Sequence, residues 1–265
     1  LKKITNYSNI GKIINKFRRL TPDENHDWIN KGRKEYKKFI SLGSKKNKSE
    51  GISIFKNYSL GLYTARDNWC YNFSKKELVK NIKKSVIFYN NLITHNKNII
   101  QDPTSISWSY RLEDKFKKKE KIKFSENNIK RSIYRPFIKN YVYFDKILNE
   151  RQGILNKVFV KKNRSILVNG IGSRNGSSAF MVDEIPDLNM LEAGTQTFSL
   201  YTFNDEQNQI GGLFSDLKKN DISKEENINP LFVKKIEEAL DIKKIKSEDI
   251  FYYIYGILHS EDYKN

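Results

Sequence analysis

The side chains best suited to chemistry in this sequence are guanidinium groups and carboxamides set among aromatic rings. Arg66 and Asn68 share the segment Thr64-Ala-Arg-Asp-Asn-Trp69. A guanidinium can pair bidentately with guanine O6 and N7 or clamp a phosphate, and a carboxamide can read adenine. The segment has an equally weighted structural reading, in which Arg66 pairs with Asp67 or helps cap a helix starting near Ser74. Arg135 in Tyr134-Arg-Pro-Phe137, with Lys139 beside it, is a second candidate for a DNA-facing surface. Arg151 and Gln152 follow a predicted strand end and could reach a base edge or a phosphate. Trp28 and Asn30 suit stacking and hydrogen bonding with DNA, or core and turn roles. Gly170-Ile-Gly-Ser-Arg-Asn-Gly176 sets Arg174 and Asn175 among amides that could cradle a phosphate. Its spacing departs from Gly-x-Gly-x-x-Gly and no helix follows, so turn glycines are the simpler account and a nucleotide cofactor site the weakest.

Other chemistries are excluded. Pro186-Asp187 followed by Glu192-Ala-Gly194 has the outline of a metal-dependent nuclease motif, but Gly194 stands where the lysine belongs, so the segment reads as a loop. His26, His95 and His259 have no partners at metal-ligand spacing. Cys70, the only cysteine, excludes an internal disulfide, fits a reducing cytoplasm, and reads as a packing residue. No phosphate-binding Gly-x-x-x-x-Gly-Lys-(Ser/Thr) loop, secretory signal or membrane-length apolar run is present. Catalytic and metal-ligating residues are therefore expected to be absent.

Lys+Arg number 49 against 31 Asp+Glu, a net charge of +18 that favours a polyanionic partner. Lys115-Phe-Lys-Lys-Lys-Glu-Lys121 and Lys161-Lys-Asn-Arg164 would hold phosphates without reading sequence, or form solvated faces. Lys, Asn and Ile abound throughout, so composition alone could supply this basicity. The rival reading is a basic protein-interaction or scaffold module. With 38% hydrophobic and 13% aromatic residues, the chain has the material for a core.

The elements that must position these groups follow from periodicity. Ile10, Ile13, Ile14 and Phe17 fall at helical spacing, and Thr21-Pro22-Asp23 ends that helix. Phe39–Leu42 and Ile52–Phe55 read as short strands around a polar loop. Ser74 caps a helix that buries Leu78, Ile82, Val86 and Phe88-Tyr89. After a polar break from His95 to Thr104, Ile106–Tyr110 and Ile122–Phe124 read as strands, and Ile133–Phe137 pairs with Tyr141–Phe144 around Ile138-Lys-Asn140. Pro136 belongs at an edge or turn. Ser165–Val168 and Phe198–Tyr201 are further strands. Pro230 starts one closing helix and Ser247 caps another. The fold class is α+β, a central twisted sheet, mostly antiparallel or mixed, flanked by helices and ending in a helical C-terminus.

Four segments in order carry a resemblance. Asp27-Trp-Ile-Asn30 comes first. Ile54-Phe55, Tyr58-Ser-Leu-Gly61 and Thr64–Trp69 make the second, Tyr134–Phe137 with Tyr141-Val-Tyr-Phe-Asp145 the third, and Ile250-Phe-Tyr-Tyr-Ile-Tyr-Gly-Ile-Leu-His-Ser-Glu-Asp-Tyr263 the last. Together they resemble the C-terminal target-recognition region of single-chain type ISP restriction-modification enzymes and related adenine-N6 DNA methyltransferases. The resemblance implies sequence-specific recognition of double-stranded DNA by a non-catalytic, monomeric, cytoplasmic fragment. Leu1, with no initiator Met, then reads as the continuation of a parent polypeptide. That parent's methyltransferase domain would be the fragment's partner and would use S-adenosylmethionine, with restriction endonuclease activity in many relatives. Residues 1–25 would be a linker or edge helix left from the methyltransferase, and 26–265 the recognition domain, with possible sub-lobes at 26–100 and 101–265. The five prolines are never adjacent, so the methyltransferases' (Asn/Asp/Ser)-Pro-Pro-aromatic motif is absent and no cofactor is expected in this chain.

Overall fold

The longest element among the described residues begins where the sequence places it. The Ser74 hydroxyl accepts from the Glu77 amide, and helix α2 then runs over Lys75–Thr94, after the single turn α1 at Asp67–Cys70. Its apolar stripe of Leu78, Ile82, Val86, Tyr89 and Ile93 is buried against Ile106, Leu112, Ile122, Tyr143 and Leu148. Each such side chain taken from water contributes about 1.5–3 kcal/mol, so this stripe anchors everything the helix touches. Residues 39–44, 52–174, 176–205 and 222–264 are described by a computed structural model. The expected helix around Ile10–Phe17, the Thr21-Pro22-Asp23 stop, Trp28, Asn30 and Asn175 lie outside the described residues.

The α+β class holds, with ten strands among the described residues distributed over three sheets. One four-stranded antiparallel sheet is ordered β1 (Ser59–Leu60), β8 (Gln196–Ser199), β5 (Ser165–Val168), β6 (Ala179–Val182). A second is ordered β2 (Tyr71–Asn72), β4 (Ile138–Tyr143), β3 (Ile129–Arg135), β7 (Ile185–Pro186), with only the β3–β7 pairing parallel. Strands β9 (Tyr201–Asp205) and β10 (Ile222–Glu226) form an antiparallel ribbon. Ile133, Leu167, Val182, Met190 and Leu191 make one cluster that joins β3 of the second sheet to β5 and β6 of the first. Gly61 marks a close meeting of two backbones. A Cβ there would lie 2.4 Å from the Asp187 carbonyl oxygen, so only glycine lets Leu62 bridge in parallel to Asp187.

Of the two closing helices, the last packs by its expected face, whereas the first buries only Phe232, and Leu231 and Leu240, expected in register with it, are exposed. Pro230 opens α5 (Pro230–Leu240), and the Asn229 side chain accepts from the Leu231 amide. Helix α6 (Ser247–Ile257) buries Ile250, Phe251 and Ile254 with Phe55, Phe198 and Phe232, and the Phe55 ring meets Phe198 at 5.3 Å and Phe251 at 6.2 Å. Short helices α3 (Tyr110–Lys117), α4 (Leu155–Val158) and α7 (Glu261–Lys264) complete the set.

Local expectations fail where a side chain outside the segment captures the backbone. Ile106–Ser109 stays without ladder partners and Tyr110 begins α3, because Trp108 and Ile106 bury from an extended stretch while Arg66 takes the Ser107 carbonyl. Ile122–Phe124 is no strand: the Asn90 side chain both donates to the Ile122 carbonyl and accepts from its amide, replacing a ladder partner. The β3–β4 hairpin turns at Pro136-Phe137, not at Ile138-Lys-Asn140, because Ile138 already pairs with Arg135. Phe198–Tyr201 breaks at Leu200 and feeds two sheets. Phe39–Leu42 and Ile52–Phe55 form no ladder, although Ile54 and Phe55 donate to the carbonyls of Ser41 and Leu42. Ser247 is the first residue of α6, not its cap, since its hydroxyl donates to Glu226.

Candidate nucleic-acid interface

Among the described residues, Arg66 is a buried side chain with several internal partners. Its side chain is 1% exposed. Nε donates to the Ser107 carbonyl at 3.0 Å and Nη1 to the Thr64 carbonyl at 3.0 Å, while Nη1 also reaches the Leu148 carbonyl and Nη2 the Ser109 hydroxyl. Ser109 in turn donates to Glu150, whose carboxylate lies 4.0 Å from Arg66 and offsets its charge. Burial lowers the Arg66 pKa, and Cys70 and Glu150 partly restore it. One side chain therefore ties the loops at 64–69, 107–109 and 148–150 together. The expected base-reading role meets a guanidinium turned inward, and the Arg66–Asp67 ion pair gives way to Glu150. Burial pushes the Cys70 thiol up to about 12, in keeping with a packing role.

Asp67 turns toward a second network. It accepts from the Thr64 hydroxyl and, at 3.0 Å, from Tyr134. Arg135 donates to Asp187 at 2.6 Å, and Tyr71 donates to the other Asp187 oxygen at 3.1 Å. The Arg135 guanidinium lies 3.9 Å from the Tyr134 ring centroid, an arrangement that strict strand alternation forbids. The register shift between Ile133 and Arg135 explains it: a bulge brings Tyr134 and Arg135 to one side. Desolvation raises the Asp187 carboxyl, assisted by the charge of Asp67 and opposed by the Asn189 amide and Arg135. Asp187, weighed in the sequence only as part of a nuclease outline, is the anchor of this network. An acid flanked by strand-forming apolar residues was the available signal. Among the described residues no group of His, Cys, Asp and Glu could hold a metal.

The remaining candidates face outward. Arg151 is exposed, pairs backbone to backbone with Tyr63 and lies 5.8 Å from the Tyr63 ring centroid. Gln152 donates to Asn149 at 3.2 Å. Asn68 is exposed on the wall of a cleft of about 570 Å³ lined also by Tyr63, Trp69, Gln101 and Trp108. Arg66 also lines this cleft, and its bond to the Leu148 carbonyl ties the cleft to the loop that precedes Arg151. Lys139 is half exposed, 3.5 Å from Glu184 and 4.0 Å from Asp183. Arg174 is exposed in the β5–β6 loop, separate from the Arg66 cluster. That loop does not fit a nucleotide cofactor. The Glu192 carboxylate already accepts from the Arg174 amide and the Ser173 hydroxyl, and Gly170 is required because a Cβ would sit 1.8 Å from the Ala193 carbonyl oxygen. Lys117, Lys118, Lys119 and Lys121 are exposed at the end of α3, with Lys118 paired to Asp114 at 2.7 Å. No helix among the described residues is long and apolar enough to cross a membrane.

Residues 53–265 match a family described as the Type ISP C-terminal specificity domain. Among solved structures, the chain is similar to the ATP-dependent Type ISP restriction-modification enzyme LlaBIII bound to DNA (30% identity, TM-score 0.78), covering 96% of this chain and 16% of that one. It is also similar to a nuclease-deletion mutant of the Type ISP enzyme LlaGI with a DNA substrate mimic (26% identity, TM-score 0.72; 95% and 19% covered). A third similar structure is a DrdV–DNA complex (26% identity, TM-score 0.80; 99% and 25% covered). The chain thus spans a quarter or less of the length of these enzymes. No curated protein matches it.

Proposed function

The chain belongs to the Type ISP C-terminal specificity domain family, and from that premise we propose that it recognises a specific sequence in double-stranded DNA for a restriction-modification enzyme. The observation that carries this reading is the family match across 53–265, joined to a fold shared with three enzymes solved with DNA or a DNA mimic. The net charge of +18 supplies the attraction for phosphates. The parent methylates adenine at N6 with S-adenosylmethionine in a methyltransferase domain of the same polypeptide, and this chain holds and reads the duplex while the target adenine is flipped. Residues 26–265 act as the reader, a monomer working in the cytoplasm.

Within the reader, Arg66 positions and does not read. It fixes the loops that present Asn68, Arg151 and Gln152, which face the bases. Arg174, Lys139 and the Lys117–Lys121 run hold phosphates, and Arg135, anchored by Asp187, contributes from the hairpin. Trp28, Asn30 and Asn175 complete the proposed DNA-contacting set.

Duplex binding measured against salt, with heparin as competitor, tests the reading. With six or more phosphates contacted, affinity should fall about a thousandfold between 50 and 200 mM salt. A flat response would favour a protein-interaction module and remove this function. Selection from a randomised duplex pool should return a short asymmetric site.

A further inference from the structure

The hairpin tip carries a side chain that folding does not account for. Pro136 and Phe137 form the two-residue turn between β3 and β4, with Arg135 paired to Ile138 across it. Phe137 has φ 65, and proline followed by a positive φ is the mark of a type II turn, whose second position is ordinarily glycine or asparagine. An aromatic residue there strains the backbone. Its ring gives little back: Phe137 is 85% exposed, with an edge contact to Phe180 at 5.5 Å between centroids.

Its surroundings specify the kind of partner. Arg131, Arg135 and Lys139 on the same hairpin are 46%, 33% and 51% exposed, so each retains donors for a phosphate while held by Glu184 or Asp187. Phe180 follows by two residues the end of the 169–178 loop, which carries exposed Ile171 and Arg174. An exposed ring at the tip of a hairpin whose strands carry three cations, with Ile138 40% exposed beside it, departs from a protein interface, whose core is depleted of charge. It suits a nucleic acid, where apolar wedges enter a base step while cations hold the flanking phosphates.

We propose that Phe137 is a wedge that stacks on, and locally opens, one base step of the duplex at the recognised site. The proposal rests on the DNA reading above. Ring-on-base stacking accounts for an aromatic residue where the backbone prefers glycine, because the strain is recovered only in the complex.

Phe137→Gly separates the alternatives, since glycine accepts the positive φ and deletes only an exposed ring. The whole 265-residue chain is used, with the duplex site returned by pool selection and 2-aminopurine placed at each position in turn. Expected is a melting temperature equal to or above that of the wild type, with site affinity about tenfold or more weaker. Wild type should brighten 2-aminopurine at one step and Phe137→Gly should not, while Phe137→Trp retains both signals. If wild type binds the site but Phe137→Gly binds equally well, or 2-aminopurine stays dark throughout, the wedge is wrong and the DNA reading stands. A melting temperature that falls in step with affinity would make the ring structural and overturn the proposal. If wild type binds no duplex, both readings fall together.

Discussion

The loop at Thr64–Trp69 and the hairpin at Tyr134–Phe137 are similar in sequence character, each setting an arginine among aromatic rings, yet they do opposite things. The first turns Arg66 inward until its side chain is 1% exposed and bonded to three separate loops. The second leaves Phe137 85% exposed at a turn tip and Arg135 one-third exposed beside it. They meet through Asp67 and Tyr134, so a rigid interior supports a projecting edge. The difference teaches that similar sequence around an arginine does not settle whether its guanidinium holds loops together or stands at the surface. A guanidinium satisfied by carbonyls from three loops fixes where neighbouring side chains point.

The sharpest way to break this comparison is to remove the interior arginine. Arg66→Ala strands the carbonyls of Thr64, Ser107 and Leu148 and leaves Glu150 without its cation, which should cost about 3–5 kcal/mol of folding stability. Arg66→Lys should not rescue it, because one ammonium lacks the planar fork. Chemical denaturation measures the loss, and DNA affinity should fall only with the folded fraction. Intact stability with lost sequence preference would return Arg66 to the reading surface.

Arg151 should behave in the opposite way. Arg151→Ala removes an exposed side chain with a distant ring contact, so melting should hardly change. If it reads a base edge, affinity for the selected site should weaken by about 1–3 kcal/mol, with preference relaxed at one position. Weakening on all sequences alike would make it a phosphate contact.

A smaller effect is expected at the end of α3. Lys117→Ala or Lys121→Ala should weaken binding to every duplex equally and reduce the salt slope by about one unit for each phosphate no longer held. An unchanged slope would place the run on a solvated face.

The smallest effect tests the anchor between the two regions. Burial raises Asp187 above its ordinary 3.8. A carboxyl whose folded pKa exceeds its unfolded one contributes stability that is complete below pH 3.8 and is lost as pH rises through the raised value. Asp187→Asn should abolish that loss, so its stability relative to wild type should improve as pH increases from 3.8 toward neutrality. Denaturation midpoints across that range measure it, and a pH-independent difference would show that Arg135 cancels the desolvation.

Much of this molecule is determined by the sequence itself. The stripe at Leu78, Ile82, Val86 and Tyr89, the Ser74 cap, the Pro230 start and the Ile250–Phe251–Ile254 face follow from local periodicity and capping, because a helix makes its bonds within itself. That β3 and β4 form a hairpin is legible as well, though its turn at Pro136-Phe137 and its register are not. Four ordered motifs also point to the family. What the tertiary structure decides is everything bonded across long sequence distance. Asn90 substitutes for a strand at Ile122, 32 residues away, a bulge at Tyr134 reverses the facing of Arg135, and Arg66 reaches Leu148 across 82 residues. Whether an arginine points at water or at a carbonyl depends on which loop arrives beside it. Arg66 and Arg151 have the same chemistry in the sequence, and the approach of residues 107 and 148 to Arg66 separates the buried guanidinium from the exposed one.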